Sequence, residues 1–481
     1  MKVDVRQTSL AHADAALVAV GLFAGDSLPE EVAGAPGAAD AKASFKAMTR
    51  LYPGAPERLL VLGLGERDEL DAERLRVAAA LAVRETARLE ATSLAWALPS
   101  FEDEEAAAEA IVTGTVLGAY RFDRFKGQGD EEDDEEPRAP LQSLTLLGRA
   151  ELAGAAETAR VYSEAANRAR DLQETPANFA RPEDLARRAA EIAAGNEGLT
   201  VEVLDGEAIR AKGMGGLAAV SQGGPVDPRL IVLRYEGGGT GPTLGFVGKG
   251  VTFDTGGIGL KPSAGMQDMK FDMSGGSAVL EATAAIAELG LPIDLITVVP
   301  ATENMPSGTA VKPGDVNTQY NGKTVEVNNT DAEGRLILAD ALAYAIELGA
   351  ERVVDIATLT GAVVIALGST YAAVISNDDE LARELSAAGE ESGELVWRLP
   401  LHDEYRDLMK GTVADLSNLA KKREAGSITA GSFLEHFVDD TPWAHIDIAG
   451  TAWDVGRPYT GKGGSGFGVR LLVQLVRDLV G

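Results

Sequence analysis

Three short stretches hold residues whose types and spacing could do chemistry. In "NNTDAEGRLILAD" (328–340), Asp331 and Glu333 stand two residues apart, Arg335 follows two further on, and an apolar helical pattern then begins. A helix start needs only one capping oxygen, so two carboxylates and a guanidinium in one corner exceed what capping asks. "VGKGVTFDTGGIGLKPS" (247–263) sets Lys249, Asp254 and Lys261 among five glycines, and "MQDMKFDMSGG" (266–276) carries Asp268 and Asp272 just ahead of another helix. Asp254, Asp272, Asp331 and Glu333 drawn into one pocket would repel one another. Divalent cations remove that difficulty: hard ions take oxygen ligands, and two of them about 3.5–4 Å apart can activate a shared water. With no cysteine and only four histidines, an all-oxygen site is the natural kind. The plainer alternative is that Asp331 and Asp272 each cap the helix that follows. A phosphate loop at Gly248–Gly250 fails on spacing, since Gly250 rather than Ser or Thr follows Lys249. No H-E-x-x-H motif is present, and His12, His402 and His436 are scattered. His445, inside an apolar run, reads as a core residue.

The elements that must position these residues alternate strand and helix. "TLGFVG" (243–248), "DLITVVP" (294–300), "TVEVNN" (324–329), "RVVDIATLTG" (352–361) and "AHIDIAG" (444–450) read as strands, with helices over 275–290 and 332–349. That pattern predicts a mostly parallel sheet covered by helices. The first part of the chain is also α/β: strands at 58–65 and 141–147, a helix over 69–89, and a long Ala-rich helix from about Ala150 to Asp171. The run "AALVAVGLFAG" (15–25) resembles the apolar stretch of a signal peptide. Asp4 and Asp14 interrupt the basic segment such a peptide needs, so a buried strand is expected there. "DEEDDEE" (130–136) reads as a solvated loop.

Composition bounds the partners. The chain has 481 residues, 45% of them hydrophobic, which suffices for more than one core; acidic residues outnumber basic ones 74 to 44, for a net charge of -30. That balance opposes nucleic acid, whose affinity comes largely from Lys and Arg on phosphates, and anionic membrane surfaces. No apolar run reaches the roughly 20 residues of a spanning helix.

"NTDAEGRLILAD" closely resembles the signature of the leucine aminopeptidase (cytosol aminopeptidase) family. "GKGVTFDTGG", "IGLKPS", "DMKFDMSGG", "DIATLTGA" and "WAHIDIAGTAW" resemble its other blocks in the same order, over roughly Asn167 to Val476, and "AYRFDRFK" echoes it in the first part. The resemblance implies a two-domain α/β protein. Residues 1–150 would form a smaller N-terminal domain concerned with assembly and access, 151–171 a linker helix, and 172–481 the catalytic domain, with a mostly parallel, helix-flanked mixed sheet.

It also implies roles. Lys249, Asp254, Asp272, Asp331 and Glu333 match ligands of two divalent ions, zinc or manganese, with Asp254 and Glu333 touching both. Lys261 and Arg335 match the two catalytic cations, the latter holding a bicarbonate, and Gly334 would allow the turn between Glu333 and Arg335. Met269, Thr358, Gly361 and Ala449 resemble the side-chain pocket, and Ala452 stands where that pocket often carries a bulkier residue. The implied activity is removal of the N-terminal residue, leucine or another apolar one, from short peptides with a free amine, by a water held between two metal ions. The implied setting is a cytoplasmic homohexamer. The alternatives are a regulatory or nucleic-acid-binding protein that keeps the fold, and a narrower dipeptidase using the same site.

Overall fold

The computed structural model describes residues 1–126, 140–422 and 424–481; the acidic block 130–136 lies outside them. The chain divides into two compact units, one of residues 1–164 with 456–461, the other of 165–455 with 462–481.

In the first unit the strands are β1 (Lys2–Arg6), β2 (Leu17–Phe23), β3 (Met48–Leu51), β4 (Leu59–Gly65), β5 (Ser93–Ala97) and β6 (Ser143–Leu147). They form one sheet in the order β1-β6-β5-β2-β4-β3, parallel except for β3 against β4. β2 is the would-be signal stretch. Its continuous apolar run is what a parallel strand covered on both faces requires, and Leu17, Val18 and Ala19 are fully buried. The helices Ala72–Arg88 and Glu104–Gly118 start at Asp71 and Asp103, whose carboxylates accept from the N–H groups of Arg74 and Ala106.

The second unit contains β7 (Leu199–Leu204), β8 (Arg229–Glu236), β9 (Leu244–Gly248), β10 (Gly250–Asp254), β11 (Asp294–Asn304), β12 (Val316–Thr318), β13 (Thr324–Glu326), β14 (Arg352–Ala357), β15 (Ala372–Ser376), β16 (Val396–Arg398), β17 (Leu416–Ser417) and β18 (Trp443–Asp447). Nine of them build a mixed sheet, β16-β15-β18-β14-β9-β11-β8-β7, with β10 beside β11. The central pairings β18–β14–β9–β11 are parallel; β8 and β7 extend it antiparallel, and β15 runs antiparallel to β18. A small sheet, β12-β13-β17, stands apart. The helices Ser274–Glu288 and Gly334–Glu347 are buried along almost their whole length, in keeping with sequences apolar on all sides.

The long helix expected near 150–171 is Ala153–Glu174, and the division between the units falls within it. None of the helices among the described residues is long and apolar enough to cross a membrane.

Candidate metal centre and its cavity

Several strands end at one place. Lys249 follows β9, Asp254 closes β10, Asn304 closes β11, and Thr358 follows β14. This is the carboxyl edge of the parallel strands, where open α/β sheets bind ligands. Asp272 comes from the 3-10 segment Met266–Met273, and Asp331 and Glu333 from the turn before Gly334–Glu347. The residues at the cap positions of the two following helices are Met273 and Glu333, and neither makes a side-chain capping bond. Capping therefore does not explain Asp272 or Asp331.

The carboxylates of Asp254, Asp272 and Glu333 are all buried, and each offers an oxygen within 4.8 Å of the others. Lys249 Nζ sits 2.7 Å from Asp272 Oδ2 and 2.8 Å from Glu333 Oε1, and donates to the carbonyl of Thr358 at 3.1 Å. Lys261 Nζ lies 2.8 Å from Asp254 Oδ2 and also pairs with Asp331 Oδ1. Thr358 Oγ1 donates to Asp272 Oδ1 at 2.7 Å.

Two asparagines that sequence reasoning did not single out complete the frame. Asn304 Nδ2 donates to Asp254 Oδ1 at 2.8 Å, to the carbonyl of Thr330 at 3.0 Å and, at 3.4 Å, to Glu333 Oε2. Asn418, fully buried, accepts from the N–H groups of Asn328 and Asn329, and its amide donates to the carbonyls of Asn329 and Ala332. Its own carbonyl accepts from Arg335 Nη1 at 2.8 Å. Neither carried a sequence signal: the strand expected at 294–300 stops four residues short of Asn304, and Asn418 lies some 80 residues downstream of the corner it ties down.

The glycines play two different parts. Gly256 has a φ of +84°, and a Cβ there would lie 2.8 Å from Asp331 Oδ1, so both the turn and the space call for glycine. Gly334 was expected to permit the turn between Glu333 and Arg335. Instead it is the first residue of a helix and is not among the positive-φ glycines. What it provides is room: a Cβ at 334 would lie 2.8–2.9 Å from Lys249 Cε, Cδ and Nζ.

Electrostatics sets these groups against one another. Burial raises the pKa of Glu333, and the nearby Asp254 raises it further, against the pull of Lys249. Asp272 is raised by burial as well, with Lys249 opposing. Burial acts to lower Lys249, but the charges of Asp272, Glu333 and Asp254 outweigh it and hold the amine well above its ordinary value. Lys261 is raised in the same way, burial being overcome by Asp254 and Asp331. Burial brings Arg335 down to about 10, partly offset by Glu333 and Asp447, so it is a cation at neutral pH. Its Nε has no hydrogen-bond partner among the described residues.

A cavity of about 600 Å³ opens onto this cluster, within the usual range for small-molecule sites. Lys249, Asp254, Lys261, Asp272, Asp331 and Arg335 line it, as do Met269, Thr358, Gly361 and Ala449. Glu333, 2% exposed, joins through Lys249 and Asn304 rather than by lining the cavity. Ala452 is fully buried and does not line it. His445 is a core residue, its Nδ1 2.6 Å from Asp355 Oδ1.

The donor set fits hard divalent cations. Four carboxylates face three side-chain cations, and Asp272 Oδ2 and Asp331 Oδ1, though each has an ammonium beside it, lack a hydrogen bond of good geometry. Oxygen donors crowded together in a buried place are what such ions bind.

Comparison with known proteins agrees with this chemistry. The model of the cytosol aminopeptidase family's catalytic domain matches residues 167–473, and that of its N-terminal domain matches 35–129. A probable cytosol aminopeptidase of Geobacter sp. (strain M21) is 46% identical over 427 residues, covering 88% of this chain and 86% of the relative. One from Roseiflexus castenholzii (strain DSM 13941 / HLO8) is 42% identical, covering 96% of each. Among solved structures, a tomato leucine aminopeptidase variant superposes with a TM-score of 0.88 at 32% identity, covering 99% of this chain and 96% of that one. The bottromycin maturation enzyme BotP in complex with Mn gives 0.87 at 34%, covering 97% and 99%. An α/β fold of two units with a carboxylate-lined cavity, together with these relatives, thus defines a hydrolase of the aminopeptidase type. The chain belongs to the cytosol aminopeptidase family.

Proposed function

We propose that this protein is a dimetal aminopeptidase that releases the N-terminal residue, leucine or another apolar one, from short peptides. The observation that carries the reading is the buried group of Asp254, Asp272 and Glu333 around Lys249, at the carboxyl edge of the sheet and open to a cavity. Asp254, Asp272, Asp331, Glu333 and, once an adjacent dication has displaced its proton, the amine of Lys249 would hold two divalent ions, manganese or zinc. When bound, such ions polarise the scissile carbonyl and lower the pKa of water.

The remaining steps fall to the chain. Lys261, kept protonated by Asp254 and Asp331, presents fixed positive charge where negative charge develops on the carbonyl oxygen. Arg335 would hold a small anion such as bicarbonate that takes a proton from the attacking water; its unpartnered Nε and its position on the cavity wall support this. The substrate's free α-amine would serve as a further ligand to the ions, a role an acylated nitrogen cannot fill, and that requirement would make the reaction exopeptidic. Met269, Thr358, Gly361 and Ala449 would shape the side-chain pocket, which Ala452 does not reach. Residues 1–150 would serve assembly of a homohexamer and access, 151–171 would link, and 172–481 would carry the chemistry. A cytoplasmic setting accords with the names of the relatives.

The test is hydrolysis of a leucine anilide by the purified chain, with and without added Mn²⁺ or Zn²⁺ and after chelation. Metal-dependent release of the anilide is expected. Activity that survives exhaustive chelation, or none with any divalent metal, would refute the reading.

A further inference from the structure

The cavity has a second charged feature, on the wall opposite in sign to its floor. Leu419, Ala420, Lys422 and Glu424 come shortly after Asn418 in the chain and line the cavity. Asn418 is stapled to the Asn328–Ala332 corner and to Arg335 by the hydrogen bonds described above, so this wall is fixed to the catalytic floor. At its far end Ala425 takes a left-handed backbone, φ 50° and ψ 43°, as the chain turns into the helix Gly426–Leu434. Such a conformation in a residue with a Cβ persists only where surrounding structure holds it.

Charge distinguishes the segment. The sequence here is "AKKREAG": Lys421, Lys422 and Arg423 are consecutive cations in a chain of net charge -30. Lys422 is exposed, and none of the ion pairs among the described residues uses it. With the substrate's amino end at the metal centre, the ammonium of Lys422 on another part of the cavity wall complements the far end of a zwitterion. A short unmodified peptide is one, with an ammonium at one end and a carboxylate at the other; an aminoacyl amide or a long chain does not place a carboxylate there.

We propose that Lys422 binds the free α-carboxylate of the substrate, so that the enzyme selects dipeptides and tripeptides over amides and longer peptides. This rests on the aminopeptidase reading and adds the second anchor of its substrate. Glu424, on the same wall, acts in the opposite sense and limits the attraction. Because the group is exposed, the contribution is modest and screened by salt.

The experiment compares kcat/KM for Leu-Gly with that for Leu-Gly-amide, in the intact metal-loaded protein and in Lys422→Ala, Lys422→Glu and Glu424→Gln variants, at low and high salt. The wild-type preference for Leu-Gly should fall about fivefold in Lys422→Ala and further in Lys422→Glu, chiefly through KM. It should rise in Glu424→Gln, and the differences should shrink at high salt. An unchanged carboxylate-to-amide ratio in both lysine variants, or an equal loss on both substrates, would overturn the proposal. Metal-dependent wild-type turnover of Leu-Gly-amide keeps the two readings separate. If it is present while the ratio is unmoved, only the carboxylate anchor fails; if neither substrate is cleaved, the aminopeptidase reading fails and this one with it.

Discussion

Replacing Gly334 by alanine adds one methyl group and should silence the centre without unfolding the protein. The new Cβ would lie 2.8 Å from Lys249 Cε and 2.9 Å from Cδ and Nζ, whereas non-bonded carbons settle about 3.5–4.0 Å apart. Lys249 would have to retreat by roughly 0.6–1.2 Å to restore contact. As the end of a flexible side chain it can do so at small cost in stability, and alanine in a helix is favoured over glycine by about 1 kcal/mol. The thermal midpoint should therefore change little. The amine, however, now sits 2.7 Å from Asp272 Oδ2 and 2.8 Å from Glu333 Oε1, and the same retreat takes it out of that frame. A displacement near 1 Å at a catalytic centre costs about 100-fold in rate, equivalent to about 2.7 kcal/mol of barrier. The assay is kcat on a leucine anilide with metal in excess, alongside a thermal melt. A variant within threefold of wild type in kcat would refute the reasoning, and so would one that lost activity only because it no longer folds.

Other outcomes follow from the same geometry. Lys261→Ala and Arg335→Ala should lower kcat more than they raise KM, since both act on charge that develops in the transition state; steady-state kinetics in which only KM moved would point to ground-state anchoring. Asn304→Ala, which frees the carboxylates of Asp254 and Glu333 from their shared donor, should weaken metal binding about 10- to 100-fold, read by competition with a chelating dye. Asp447, fully buried, accepts from the N–H groups of Leu359 and Thr360 and from Thr360 Oγ1; Asp447→Ala should raise KM for leucine substrates by loosening that wall of the cavity, and an unchanged KM would refute this. Glu326 is held down to about 2, chiefly by the N–H of Val413 and, against burial, by those of Ala414 and Thr412. A carboxyl lowered from 4.5 in this way stabilises the fold above pH 4.5, and the contribution fades as pH falls toward 2. Glu326→Gln should lower the thermal midpoint at pH 7, and the gap to wild type should narrow on acidification; a constant gap would count against it.

The parts of the fold that could be read from the sequence were those with a continuous local signal. β2 and β9 are unbroken apolar runs, the helix Ser274–Glu288 opens on a glycine pair, and Gly334–Glu347 follows an acidic turn. The excess of carboxylates at strand ends pointed to cations before any resemblance was considered. Lys249 among the carboxylates was not legible by that route, because nothing local marks a lysine as buried; only the meeting of β9 with two distant turns makes it so. Gly334 was misread for a related reason. Sequence suggests glycine for backbone freedom, while its real constraint, a neighbour 85 residues away in the chain, is tertiary. Asn418 and the cationic wall beyond it lie on a loop whose relation to Arg335 exists only once β17 pairs with β13. The antiparallel strands β7, β8 and β15 that make the main sheet mixed carry no mark distinguishing them from parallel ones.

The most direct test of the central claim is a metal titration of the chelated, metal-free protein, following bound Mn²⁺ per chain and leucine anilide turnover together, for wild type and for Glu333→Ala. Wild type should regain full turnover as occupancy reaches two ions per chain, and Glu333→Ala should bind fewer ions and remain inactive. Two ions per chain and near-normal turnover in Glu333→Ala, or wild-type turnover independent of bound metal, would contradict the account.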